Sequence, residues 1–309
     1  MSRLVWHPDF ARSLMPRHGA GLSKLGHLHR LLLREGLIGP NAALTPAPAG
    51  SAAITRVHHP AYVERVMSCS LGAEEVRRIG LPATQEVARR AALACSAALM
   101  AAEAALAHGF AASLAGGAHH AGPNGGAGYC VFNDAAFAAQ ALLDTGRVNR
   151  VLILDLDVHQ GDGTARIFTI EPRVRTVSMH AERNFPARKA RSDIDLGLPD
   201  RTGDADYLRA LDGLLARVLA ERFDLAIYNA GVDPCRGDRL GRLDLSREGL
   251  AGRERMVLSR LDAAGIPVAV VMGGGYGEDP AEVAGRHFTV FAEAARLGLM
   301  ARIDRAGAP

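Results

Sequence analysis

Lysine is almost absent from this chain: Lys24 and Lys189 are the only two among 36 Lys and Arg residues. That bias reads as the mark of an Arg- and Ala-rich proteome and by itself implies no function. Cysteine is also sparse, with Cys69, Cys95, Cys130 and Cys235 scattered and no CxxC pair. Such spacing fits a reducing cytoplasm better than a disulfide scaffold. The densest basic cluster, Arg188-Lys189-Ala190-Arg191, is short, and the net charge of +3 is small for 309 residues. Direct nucleic-acid binding is not expected on that footing. The N-terminus, MSRLVWHPDF, lacks the charged-then-apolar order of a signal peptide. The most apolar helical stretch, 91–107, contains Glu103 and is short for a bilayer span, so it reads as a buried core helix. The expectation is a soluble cytoplasmic protein with no membrane span; oligomeric state stays open.

What the chain does have is alternation. Strand-like runs at 4–7, 53–57, 111–115, 151–156, 174–179, 225–229 and 268–272 are separated in most cases by helical patterns. The helical patterns cover 86–107, 134–144, 206–220, 247–262 and 281–296. Strands alternating with helices imply a mostly parallel sheet covered on both faces, and the strands are apolar throughout, as double coverage requires. No linker or repeat divides the chain, so residues 1–309 are expected to form one domain. Residues 181–204, rich in Arg, Asp, Pro and Gly, read as one long surface loop of the kind that carries function.

Open parallel sheets bind ligands beyond the carboxyl ends of their strands. Four predicted strands run into unusual polar residues there: GGAHHAGP, DLDVHQGDG, NAGVDP and GGGYG. Asp155, Asp157 and His159 are spaced i, i+2, i+4, which points all three the same way along a continuing strand. The outer two Cα atoms would then lie about 13 Å apart, too far for a shared ion whose bonds are about 2 Å long. Asp157 and His159, at the rim, make the better pair. Asp233 in NAGVDP is the natural third ligand. Two carboxylates and an imidazole leave a divalent cation open positions for water and substrate; Zn²⁺ is the default, and Fe²⁺ or Mn²⁺ would also fit.

With these residues assembled, the sequence resembles the histone deacetylase family, of the arginase–deacetylase fold. The matching motifs are GGAHHAGPNGGAGYCVFND, LDLDVHQGDGT, TVSMH, NAGVDPCRGDRLGRL and GGGYG, in family order over nearly the whole chain. The closest likeness is to the class IV branch and its bacterial relatives. The resemblance implies a single-domain, three-layer α/β/α architecture with about eight strands. It places Asp157, His159 and Asp233 as zinc ligands, His119 and His120 as the active-site histidines, and Asp155 and Asp162 as their respective acidic partners. Tyr276 takes the position of the tyrosine that donates to the substrate carbonyl. Gly128, Tyr129 and Phe185 take the acyl tunnel, Tyr129 standing where Phe is usual. A structural potassium site is also implied, with Asp155 and Ser178 side chains and the carbonyls of Asp157, His159 and Met179. Leu14 to Lys24 matches poorly and is left unassigned, and three glycines precede Tyr276 where four are common.

The activity implied is metal-dependent removal of acyl groups, acetyl and longer fatty acyl, from lysine side chains of a protein or peptide. An acylated small amine such as an acetylpolyamine is the alternative substrate. Two rivals are an arginase-type ureohydrolase, which would need further acids for a second metal, and an inactive acyl-lysine binding protein. Outside the motifs, His58-His59-Pro60 reads as the end of a strand and start of a helix. His108 and His287 read as helix-end or surface histidines, and His180 is open.

Overall fold

In the computed structural model of the chain, which describes residues 3–14 and 22–300, seven strands form one sheet. They are β1 (Leu4–Val5), β2 (Phe110–Ser113), β3 (Val151–Asp155), β4 (Val174–Ala181), β5 (Ile194–Leu198), β6 (Leu225–Asn229) and β7 (Val268–Val271). Their spatial order is β1-β2-β7-β6-β3-β4-β5, and every neighbouring pair is parallel. The helices are α1 (Lys24–Arg34), α2 (Ser51–Ile54), α3 (Pro60–Met67), α4 (Ala73–Ile79), α5 (Gln85–His108), α6 (Asp134–Asp144), α7 (Asp162–Ile167), α8 (Asp204–Val218), α9 (Arg247–Ala263) and α10 (Pro280–Arg296).

The pleat sorts β3 between two cores. Leu152 and Leu154 join an apolar cluster with side chains of α1, α8, α9 and α10; Val151 and Ile153 join another built with α3, α5 and α6. Alternate side chains of a strand face opposite ways, so a strand buried on both faces must be apolar at every position. Each fully buried Leu or Ile contributes roughly 1.5–3 kcal/mol. The Ala-rich α5 is long and apolar enough to cross a membrane by composition. In this fold it packs on α6 and β2, its buried alanines allowing close approach. Thr84 caps it by accepting from the Val87 N–H, and Gly109 ends it. This is the α/β/α architecture of the arginase–deacetylase type.

Several expectations need correction. There are seven strands among the described residues rather than eight. Residues 53–57 belong to α2 and the turn after it, because Ile54 and Val57 are a helical i, i+3 pair and both are buried. The first strand is confined to Leu4 and Val5. The loop at 181–204 contains β5, which pairs with β4 at the sheet edge. Only Ile194 and Leu198 of it are buried, so its polar intervening positions disguised it. His59 does start a helix: its ring accepts from the Ala61 N–H at the head of α3.

Candidate active site

The four polar strand ends belong to β2, β7, β6 and β3, which are contiguous at the centre of the sheet. Asp157 and His159 follow β3, and Asp233 follows β6, directly beside it. One ligand atom from each of the three lies within 4.8 Å of the others. His159 Nδ1 is 3.0 Å from an Asp157 oxygen and 3.2 Å from Asp233 Oδ2. Those separations suit ligands about 2 Å from a common ion.

The carboxylate oxygens are held in place. Asp157 Oδ1 accepts from the His159 N–H at 3.0 Å and Oδ2 from the Gly274 N–H at 2.7 Å. Asp233 Oδ1 accepts from the Val158 N–H at 2.9 Å. Asp233 Oδ2 is buried with no hydrogen-bond donor among the described residues, an arrangement costly for an anion unless a cation faces it. Burial opposes charge on His159, yet the nearby carboxylates of Asp157 and Asp233 raise its pKa to about 11. The site strongly favours positive charge, and its donor set fits a divalent ion. Gly274 is required by proximity: a Cβ there would fall 2.0 Å from Asp233 Oδ2.

Above the triad sit two histidine–aspartate pairs. His119 Nδ1 is 2.6 Å from Asp155 Oδ2, and His120 Nδ1 is 2.7 Å from Asp162 Oδ1. The two rings are 4.0 Å apart between centroids. Asp162 opens α7 and also pairs with Arg166. Asp155 Oδ1 is fixed by the Asp157 N–H and the Asn229 side-chain amide. The environments divide the pair. Burial works against a proton on His119, but Asp155 and Asp157 raise it to about 9. Burial and then the His119 charge push His120 down to about 4.

Tyr276 completes the group. Its ring lies 6.4 Å from that of His159 and 5.9 Å from that of Tyr129. Burial, reinforced by Asp157 and Asp233, raises its hydroxyl well above the ordinary range, so it stays a donor. Its backbone is anchored by the N–H donating to Asp238 Oδ2 at 2.7 Å. Phe185 stands edge-on to His120 at 4.7 Å, and both Phe185 and Tyr129 are exposed. Gly128, at φ +53°, packs against His120 and Phe185; a Cβ there would meet His120 at 2.7 Å and Phe185 at 3.2 Å. A cavity of about 600 Å³ runs from Asp157 and the two histidines to an apolar inner wall that includes Phe10, Leu14, Leu25, Val87 and Ala91.

For the implied potassium site, β3 and β4 pair in a register that sets Asp155 opposite Ser178, next to Met179. The carbonyls of Asp157 and His159 accept no hydrogen bond from described residues, which leaves them free for a cation. His180, left open by the sequence, is buried with Nδ1 3.0 Å from the Ser178 hydroxyl. His287 is a correction: it is 1% exposed in α10 beneath Gly275, with no partner on either ring nitrogen among the described residues. His58 is a satisfied core histidine, bonded to Gly122 O and the Asn133 N–H.

The sequence reading missed both lysines. Lys24 Nζ donates to the carbonyls of Gly273 and Gly275, and its ammonium is 5.6 Å from the Tyr276 ring centroid. Lys189 Nζ donates to the carbonyls of Asn184 and Pro186, one on each side of Phe185. Their rarity was the available signal: a compact ammonium reaches two converging carbonyls where a planar guanidinium is bulkier. Asp134 was also missed; buried in the first turn of α6, it accepts from the N–H groups of Gly117 and Ala118 and so shapes the loop before His119. Residues 15–21 of the unassigned N-terminal segment lie outside the described residues.

The chain belongs to the histone deacetylase family, a class of deacetylase-type hydrolases: the histone deacetylase domain matches residues 20–290. Among its relatives is an uncharacterized protein of Picosynechococcus sp., 45% identical over 285 residues, covering 92% of this chain and 95% of that one. Histone deacetylase 2 of Arabidopsis thaliana is 30% identical over 277 residues, covering 86% of this chain and 71% of that one. The solved HDA15 HD domain shares the fold, with a TM-score of 0.76 at 23% identity over 94% of this chain and 87% of that one.

Proposed function

We propose that this protein is a metal-dependent deacylase of acyl-lysine side chains. The observation that carries the reading is the cluster of Asp157, His159 and Asp233 at a cavity lined by Asp157, His120 and Tyr276, with His120 held by Asp162. A zinc or ferrous ion held by the three ligands would supply Lewis acidity to the amide carbonyl and lower the pKa of water. The chain's own residues supply the rest. His120, neutral and fixed through Nδ1 by Asp162, accepts the proton of the attacking water at Nε2 and later delivers it to the leaving amine nitrogen. His119, protonated against Asp155, places positive charge beside the developing oxyanion, and the Tyr276 O–H donates to it. Tyr129 and Phe185 flank the lysine stem at the entrance. The apolar inner wall supports acyl chains longer than acetyl, and Asp155, Ser178 and the free carbonyls support a potassium ion that stiffens the base of the site.

Purified protein is expected to hydrolyse acyl-lysine peptides, and chelation is expected to abolish the activity until zinc or ferrous ion is restored. Acetyl-, crotonyl-, decanoyl- and myristoyl-lysine peptides compared with acetylputrescine identify the substrate class. Chelator-resistant turnover, two metals per chain with guanidine hydrolysis, or no hydrolysis by metal-replete protein would overturn the reading.

A pH dependence follows from the two histidines. His120 works unprotonated and its pKa is held down to about 4; His119 works protonated and its pKa is held up to about 9. The profile of kcat/KM is therefore expected to be a broad bell, declining as pH falls toward the lower value and as it rises through the upper one. A bound cation moves both limbs to lower pH without changing their order. An acid limb at or above 6.5, the unperturbed histidine value, would show that the base is not this buried imidazole.

A further inference from the structure

Arg253 and Glu254 are consecutive residues of α9, and their side chains are 0% and 1% exposed. They lie in a helix whose other buried side chains include Leu250, Val257, Leu258 and Leu261. The Arg253 Nη1 donates to the Leu156 carbonyl at 3.1 Å and to the Gly231 carbonyl at 2.7 Å. Its Nε donates to Glu254 Oε1 at 3.1 Å, and Nη2 binds the same oxygen. Glu254 Oε2 accepts from the Tyr228 hydroxyl at 2.8 Å.

The two carbonyls belong to the segments that leave β3 and β6. Leu156 directly precedes Asp157, and Gly231 is two residues before Asp233. One nitrogen therefore bridges the backbones that deliver the two carboxylates of the triad. Tyr228 lies on β6 itself, so the chain of contacts starts on that strand and returns to the ends of both.

Fold stability does not account for the pair. Removing two charges from water costs enough that apolar side chains of similar volume often stabilise a core more. Position accounts for it better. Where strands end, buried carbonyls lose their ladder partners and need another donor, and a rigid guanidinium can satisfy two while holding their separation.

We infer that Arg253, oriented by Glu254 and Tyr228, is a positioning residue that sets the spacing of Asp157 and Asp233 and thereby the affinity of the metal centre. The inference rests on those two residues and His159 being the ligands. Residues one step beyond the ligands typically alter metal affinity by about 10–100-fold.

The test compares the wild-type protein with R253M/E254L, which removes both charges together, with R253K, and with Y228F. Three quantities are measured: metal affinity by chelator competition, the visible spectrum of the Co²⁺-loaded protein, and thermal unfolding of the metal-free protein. For R253M/E254L the metal dissociation constant is expected to rise about 10–100-fold, with an altered Co²⁺ spectrum; metal-free unfolding is expected at a lower temperature as well, because the Leu156 and Gly231 carbonyls lose their donor. R253K is expected to recover part of the affinity. An unchanged affinity and spectrum, with only the unfolding temperature lowered, would reduce the pair to an ordinary buried ion pair and overturn the inference. If the double variant does not fold, Y228F decides: a weaker metal affinity with unchanged unfolding supports the inference, and unchanged affinity overturns it. Failure of the wild-type protein to bind metal would instead overturn the ligand assignment.

Discussion

Replacing His120 by alanine is expected to lower kcat by about 10²–10⁴-fold, the usual worth of a positioned general base, while one metal ion per chain is retained. The second half of that result discriminates. His120 Nδ1 is committed to Asp162, and its ring centroid lies 5.8 Å from that of His159, outside the triad. Burial and the charge on His119 keep it unprotonated, as a base must be at neutral pH. The substitution leaves the backbone hydrogen bonds of Asp157 and Asp233 untouched, since their donors come from His159, Val158 and Gly274. Metal content measured on the purified variant beside its turnover separates the roles. Loss of metal together with activity would make His120 part of the metal centre; a fully active variant would leave His119 as the base.

Asp233→Asn is expected to abolish metal binding without unfolding the protein. The amide can keep an oxygen where Oδ1 accepts from the Val158 N–H, but it replaces the unpaired Oδ2, the oxygen nearest His159 Nδ1, with a group that cannot ligate as an anion. The affinity loss should exceed the roughly 10–100-fold typical of outer partners, and activity should fall to background. The metal-free variant is expected to unfold at no lower temperature than metal-free wild type, because a buried carboxylate beside Asp157 has been neutralised. Burial and repulsion from Asp157 both raise the Asp233 pKa, which shows that its charge opposes folding when uncompensated. Metal analysis and thermal unfolding of the stripped proteins check both halves. Full metal occupancy in the variant would remove Asp233 from the ligand set.

The site was legible because its residues cluster in short motifs at strand ends, and the chemistry of each residue type restricts what it can do. The i, i+2 spacing of Asp157 and His159 placed both on one side of the chain leaving β3, as found. Elements with weak periodicity were harder to read. β5 exposes its middle residues at a sheet edge, so no apolar run marked it. His287 looked ordinary because nothing in its neighbours along α10 shows that Gly275 presses down upon it. Glu254 stood on the apolar stripe of α9, four residues after Leu250 and four before Leu258, a signal of burial that the helical pattern alone did not raise.

The sequence by itself determined the family and the parallel α/β architecture, and it singled out the candidate site residues, because those follow from local spacing and side-chain type. Only the tertiary structure decided which strand ends meet. In chain order the four polar ends are β2, β3, β6 and β7; in space they run β2, β7, β6, β3. The crossovers bring Asp233 beside Val158, 75 residues earlier, and set Arg253 under both loops. Long-range pairing depends on how helices of given length pack across the sheet, and that information is spread over the whole core rather than written in any one motif.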